Sequence, residues 1–171
     1  MKRLFYISLL FIFMPLNIFA ISLAEINNNP ERYKLICETS EFASFVDIDS
    51  IESLRYSPPF YTLKFTEYGI VYSDSIILEQ KETINYDITK RKISHQKKTI
   101  GDYGIKTTTN YTKAYDFNGN FIFSNEFPKS SETSSSMSPI SFMANYVFYK
   151  YYDEFYFPDF AIPYPILLST A

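Results

Sequence analysis

The chain has one cysteine, one histidine, four glycines and no tryptophan among its 171 residues. Each scarcity closes a class of explanation. With Cys37 alone, no internal disulfide can form, so the fold must be held by its core. That cysteine sits in a strand-like stretch and reads as a small buried hydrophobe. One histidine and one cysteine cannot furnish a zinc site of ordinary composition. So few glycines leave no phosphate-cradling loop, and nothing in the pattern calls for a cofactor. His95 lies between Ser94 and Gln96 on a polar stretch, with no nucleophile elbow anywhere, which marks it as a surface residue rather than a catalytic base.

What is abundant is aromatic: 16 tyrosines and 17 phenylalanines, residues suited to half-buried pleated surfaces. The N-terminus runs Met1-Lys2-Arg3, an apolar stretch from Leu4 through Phe13, Pro15, then small residues up to Ala24. A basic start, a short apolar middle and a small-residue exit make residues 1–24 a secretory signal. Ser22 and Ala24 fit the small-x-small rule and predict cleavage before Glu25; Ile18 and Ala20 are a poorer pair. The expected location is periplasmic, secreted or at the cell surface. Of 16 basic residues, 14 would then remain against 19 acidic ones, a balance that argues against a nucleic-acid protein.

Along the mature chain, residues 25–31 read as a loose lead. Tyr33, Leu35 and Cys37 alternate onto one face of a first strand, and Ala43–Ile48 forms a second. Asp49 caps a brief helical turn, and Tyr56–Pro59 makes a loop. Tyr61–Thr66 is a period-2 strand, and Gly69 marks a bulge. Ile76–Ile88 alternates between an apolar face and a face of Glu79, Lys81, Thr83, Asn85 and Asp87. Residues 91–100 read as a strand polar on both faces. Ile105–Tyr115 is joined through the hairpin signal Asn118-Gly119 to Phe121-Ile122-Phe123. After a serine-rich linker at 129–138, Ser138 caps and Pro139 opens a helix through Tyr152. The sum is an α+β domain over residues 25–152: one antiparallel sheet of about six strands with the C-terminal helix packed on one face, followed by an aromatic, proline-broken tail at 153–171.

The order of these features resembles the surface-adhesin protein E-like family of small secreted bacterial proteins. The matching residues are Tyr33 and Ile36, Phe45-Val46-Asp47, Ser50-Ile51, Tyr86-Asp87 with Arg91, and Pro139-Ile140, together spanning residues 33–152. The resemblance implies a sheet whose concave face cradles the C-terminal helix, and surface binding of host matrix or serum proteins. The disulfide that ties helix to sheet in that family has no counterpart here.

Three places could carry function. Asp47 and Asp49 share a strand face and could meet a hard cation, although a strand end with a helix cap explains them as well. Lys90, Arg91, Lys92, Lys97 and Lys98 form a basic stripe in an acidic protein, fit for a sulfated glycan or an acidic protein; lysines guarding an edge strand explain the same cluster. Phe142, Tyr146 and Tyr149 lie on the helix side away from the sheet. Either the tail covers them or they form a patch for a partner, including a second copy in a homodimer. An adhesin-like, non-enzymatic binding protein is the leading expectation, with a periplasmic envelope-maintenance protein as the alternative. A small outer-membrane barrel fits poorly with the helix and the doubly polar strand.

Overall fold

A computed structural model of the chain describes residues 21–91, 103–126, 128–132, 138–158 and 166–167. Helix α1 spans Leu23–Asn28. Six strands follow: β1 Tyr33–Glu38, β2 Phe42–Ser57, β3 Phe60–Val71, β4 Ile76–Asp87, β5 Ile105–Asp116 and β6 Phe121–Asn125. Short β7 (Lys129–Glu132), helix α2 (Pro139–Tyr152) and two-residue β8 (Ile166–Leu167) complete the described elements. All eight strands belong to one sheet, ordered β6-β5-β4-β3-β2-β1-β8, with β7 also pairing β5. The pairing is antiparallel except for β1 with β8, which run parallel. Two described strands have no expected counterpart: β7, inside the serine-rich segment, and β8, inside the tail; the strand expected at residues 91–100 lies outside the described residues but for Arg91.

The sheet has a core on each face. On one side, α2 packs Phe142, Met143, Ala144, Val147 and Phe148 onto Ile36, Val46, Leu63, Phe65, Ile84, Tyr86 and Ile105. The helix contacts β1 and β2 and also reaches β5, so the sheet must curl around it. Bulges in β1, β2 and β5 provide that curvature. On the other side, α1 contributes Ile26 to a second core with Ile21, Tyr33, Phe45, Tyr68, Ile70, Ile77 and Tyr115. Burial of both faces is why β2, β3 and β4 carry apolar residues at even and odd positions.

Four local expectations change. The lead at 25–31 is largely helical, because Ser22 caps α1 through its Oγ to the Glu25 N–H at 3.2 Å. No helical turn forms at Asp49. There the chain bulges within β2, and Ser50 Oγ takes a rung of the ladder, accepting from the Thr66 N–H at 2.8 Å while donating to the Asp47 carbonyl at 2.7 Å. Gly69 pairs in register with Ser44 and Leu78 and marks no bulge. A Cβ there would lie 3.2 Å from the Phe42 ring, so the glycine makes room for an aromatic. In β1, the bulge at Ile36 breaks the expected alternation and turns that residue toward α2.

Helix α2 has the expected bounds. Ser138 Oγ accepts from the Ser141 N–H at 3.2 Å, Pro139 follows, and Asp153 closes the helix in the left-handed region at φ 58°. Hydrogen bonds attach it where no disulfide does. Tyr86 Oη donates to the Ala144 carbonyl at 2.9 Å, and Ser53 Oγ meets Tyr152 Oη at 3.0 Å. Around them, Tyr61, Tyr86, Phe148, Tyr152 and Tyr156 form an aromatic cluster with ring centroids 4.8–5.6 Å apart.

Candidate functional site

The polar face of β4 belongs to a wider surface that the register assembles on the side of the sheet away from α2. Thr62, Asn85 and Lys106 stand in one row across β3, β4 and β5; Lys64, Thr83 and Thr108 form the next. Thr66, Lys81 and Tyr111 follow, then Tyr68, Glu79 and Lys113. Lysines thus recur along one face of a chain whose formal net charge is −3.

At the end of this surface farthest from α1 is a cleft of about 210 Å³, lined by Arg55, Phe60, Thr62, Asn85, Asp87, Lys90 and Lys106, with Gly104 and neighbouring backbone forming the rest of its wall. Arg55 arrives from the end of β2 and lies over the Phe60 ring, 5.2 Å from its centroid. Lys90 comes from the single 3-10 turn Ile88–Lys90 after β4, and Lys106 from the start of β5. Among the described lining residues the one carboxylate, Asp87, is engaged locally: its Oδ1 accepts from the Thr89 N–H at 3.0 Å and the Thr89 hydroxyl at 2.6 Å. Thr62 Oγ1 donates to Asn85 Oδ1 at 2.8 Å, which leaves the amide's two N–H groups as donors for a ligand. Three cations, an amide and an aromatic ring around an open cleft are suited to anionic groups on a larger molecule.

Gly104 makes the cleft's back wall possible. Its φ is +72°, and a Cβ there would collide with the Asp87 carbonyl and lie 2.8 Å from Tyr156 Oη. That hydroxyl donates toward the carbonyls of Asp87 and Tyr103, each at 2.9 Å.

The expected basic stripe divides. Lys90 enters the cleft. Arg91 instead ties the 3-10 turn to the segment after α2, with Nη1 3.4 Å from the Tyr156 carbonyl and 3.6 Å from Glu154 Oε1. Lys92, Lys97 and Lys98, with His95, lie outside the described residues. Arg55, Asn85 and Lys106 escaped sequence reading because they are far apart in the chain; only the register brings them together.

The helix patch also divides. Phe142 and Tyr146 are 3% and 8% exposed and belong to the core, so they offer no surface to a partner. Tyr149 is 36% exposed and stacks on Phe155 at 4.3 Å. From the tail, Tyr156 and Phe157 join the core around α2. Phe160, Ile162 and Tyr164 lie outside the described residues.

At the third place, Arg32 binds Asp47 in a fork, with Nε to Oδ1 at 3.0 Å and Nη2 to Oδ2 at 2.9 Å, and Asp49 lies 3.8 Å from Nε. A guanidinium therefore fills the position considered for a metal cation. Among the described residues, no group of three or more histidine, cysteine or acidic side chains is placed to hold a metal.

Two acids occupy the α2 face of the sheet. Burial pushes Glu67 up to about 7, against a 2.6 Å hydrogen bond from Ser44 Oγ that holds it down; the nearby Glu82 raises it further. Burial also raises Glu82, whose Oε2 has no hydrogen-bond partner among the described residues. The same desolvation raises the buried Cys37 thiol, which lies near Glu67.

Comparison with protein-family models, curated proteins and solved structures finds no match to this chain. No helix among the described residues is long and apolar enough to cross a membrane.

Proposed function

We propose that this chain is an exported, non-enzymatic, adhesin-like binding protein that holds a sulfated glycan along its lysine-bearing sheet face. The observation that carries the reading is the convergence of Arg55, Lys90 and Lys106, from three separate segments, around the cleft at the end of that face. Lys64 and Lys113 carry positive charge away from the cleft over roughly 20 Å of strand, the scale of a short oligosaccharide rather than a small metabolite, while Lys81 between them donates to Thr66 Oγ1 at 2.7 Å and lies 4.0 Å from Glu79 Oε1. Arg55 supplies a planar fork for a sulfate or carboxylate, while the lysines act as point charges. The curled sheet around a C-terminal helix agrees with what the resemblance to the surface-adhesin protein E-like family implies. Export follows from the basic and apolar start of the chain. The burial of Ile21 and the capping role of Ser22 support cleavage after Ala20 rather than after Ala24.

The test is a titration of the purified exported form with a sulfated glycan and with its desulfated counterpart of equal length. Saturable binding of the first alone supports the proposal. Equal binding of both, or of neither, rejects it.

A further inference from the structure

The arginines among the described residues are held in two different ways. Arg32 is bound by Asp47, 2.9 Å away, and Arg91 lies 3.6 Å from Glu154. Arg55 makes no hydrogen bond or ion pair among the described residues; its guanidinium carbon instead lies 5.2 Å from the centroid of the Phe60 ring. That placement depends on a bulge in β2. Ser53 pairs with Leu63, but the next pair is Arg55 with Thr62, so Leu54 is the extra residue. In an unbroken ladder Leu54 would stand opposite Thr62, and Arg55 opposite Tyr61, whose ring packs on Phe148 of α2. The bulge turns Arg55 onto the face of Phe60 and Thr62 instead, and sends Tyr56 to the α2 side, where it meets Tyr61 and Tyr152. Arg55 and Phe60 thereby become diagonal neighbours across the strand pair, within reach of a long side chain. Phe60 is 40% exposed and belongs to neither core, so the sheet does not need its ring for packing.

We infer that Phe60 is a positioning residue, whose ring holds the Arg55 guanidinium at the cleft so that its N–H groups are available to a sulfate of the glycan. The inference rests on the sulfated-glycan reading of this face and names the pair that gives the cleft its fork. An exposed arginine has many rotamers, and ordering it at the moment of binding costs affinity. A ring that already holds the cation lowers that cost and consumes none of the five N–H donors. A carboxylate, as at Arg32, would hold the guanidinium as firmly but would occupy the fork and offset its charge. Phe60 therefore does for Arg55 what Asp47 does for Arg32, while leaving the donors to an anion.

Titration of the exported form with a heparin-like oligosaccharide and its desulfated counterpart tests this in five proteins: wild type, Phe60→Tyr, Phe60→Leu, Arg55→Gln and Phe60→Leu/Arg55→Gln. Phe60→Tyr keeps the ring and should bind as wild type does. Phe60→Leu should bind the sulfated oligosaccharide about fivefold more weakly, with its melting temperature near wild type. Once Arg55 is Gln, the same change at Phe60 should have no further effect, because the ring acts through the arginine. Phe60→Val, suited to a strand by its β-branch, gives a second reading if Phe60→Leu folds poorly. Unchanged affinity in folded Phe60→Leu, or an equal loss with and without the Arg55 side chain, overturns the inference and leaves the sulfated-glycan reading standing. Wild type that binds neither oligosaccharide, or both equally, overturns the two together.

Discussion

The side-chain oxygen of Asn145, inside helix α2, accepts a hydrogen bond from the backbone N–H of Phe157 at 2.8 Å, and both residues are buried. The segment after the helix is thereby fixed to it, allowing Tyr156 and Phe157 to enter the core. Replacing Asn145 with Ala leaves a buried N–H without a partner. The expected loss is about 1–3 kcal/mol, read as a lowered urea midpoint with an unchanged slope.

Gly104 and Tyr156 make a second expectation. Gly104→Ala meets both a disfavoured backbone conformation and a carbonyl in contact range, so it should cost about 2–4 kcal/mol. Tyr156→Phe keeps the ring and removes only the hydroxyl that bridges Asp87 and Tyr103, for about 1–2 kcal/mol. Thermal melts that rank the two in the opposite order would contradict this description of the cleft's back wall.

The fold's main devices were legible where a local rule speaks for itself. Ser138-Pro139 announced α2, and Asn118-Gly119 announced the β5–β6 hairpin. Bulges were not legible, because they arise from how two strands meet. Ser50 taking a ladder rung requires Thr66 opposite it, which no local window contains. The candidate face was half visible: the alternation of Lys81, Thr83, Asn85 and Asp87 showed a polar side to β4. Its alignment with Thr62, Lys64 and Lys106 depends on register. Phe142 and Tyr146 misled as a candidate surface because the sequence does not say how completely the curled sheet and the segment after α2 enclose the helix.

Half-buried Glu67 sets a pH dependence of definite sign. Its folded value, about 7, lies above the ordinary 4.5, so the folded state holds the proton more tightly than the unfolded chain. Its contribution is greatest below pH 4.5 and is lost as pH rises through about 7. Glu82, also raised, acts in the same direction. Stability of wild type relative to Glu67→Gln should therefore fall between pH 4.5 and pH 7. Denaturant titrations at four pH values in this window check it; a flat difference would show that Glu67 is well solvated.

Intact mass of the exported protein tests the processing boundary. Cleavage after Ala20 retains Ile21, Ser22 and Leu23, whose N–H donates to the Phe117 carbonyl at 3.1 Å. A mature chain beginning at Ile21 is expected. One beginning at Glu25 would lack the cap of α1 and part of the second core.

The cations gathered by the register are proposed to bind a sulfated polymer. Calorimetric titration of the exported form with a heparin-like oligosaccharide, beside the double variant Arg55→Glu/Lys106→Glu, measures it directly. The prediction is saturable binding that weakens as salt is raised and drops by about tenfold or more in the double variant, whose melting temperature stays near wild type. Undiminished affinity in a folded double variant, or no heat of binding in wild type at low salt, would contradict the assignment of this face.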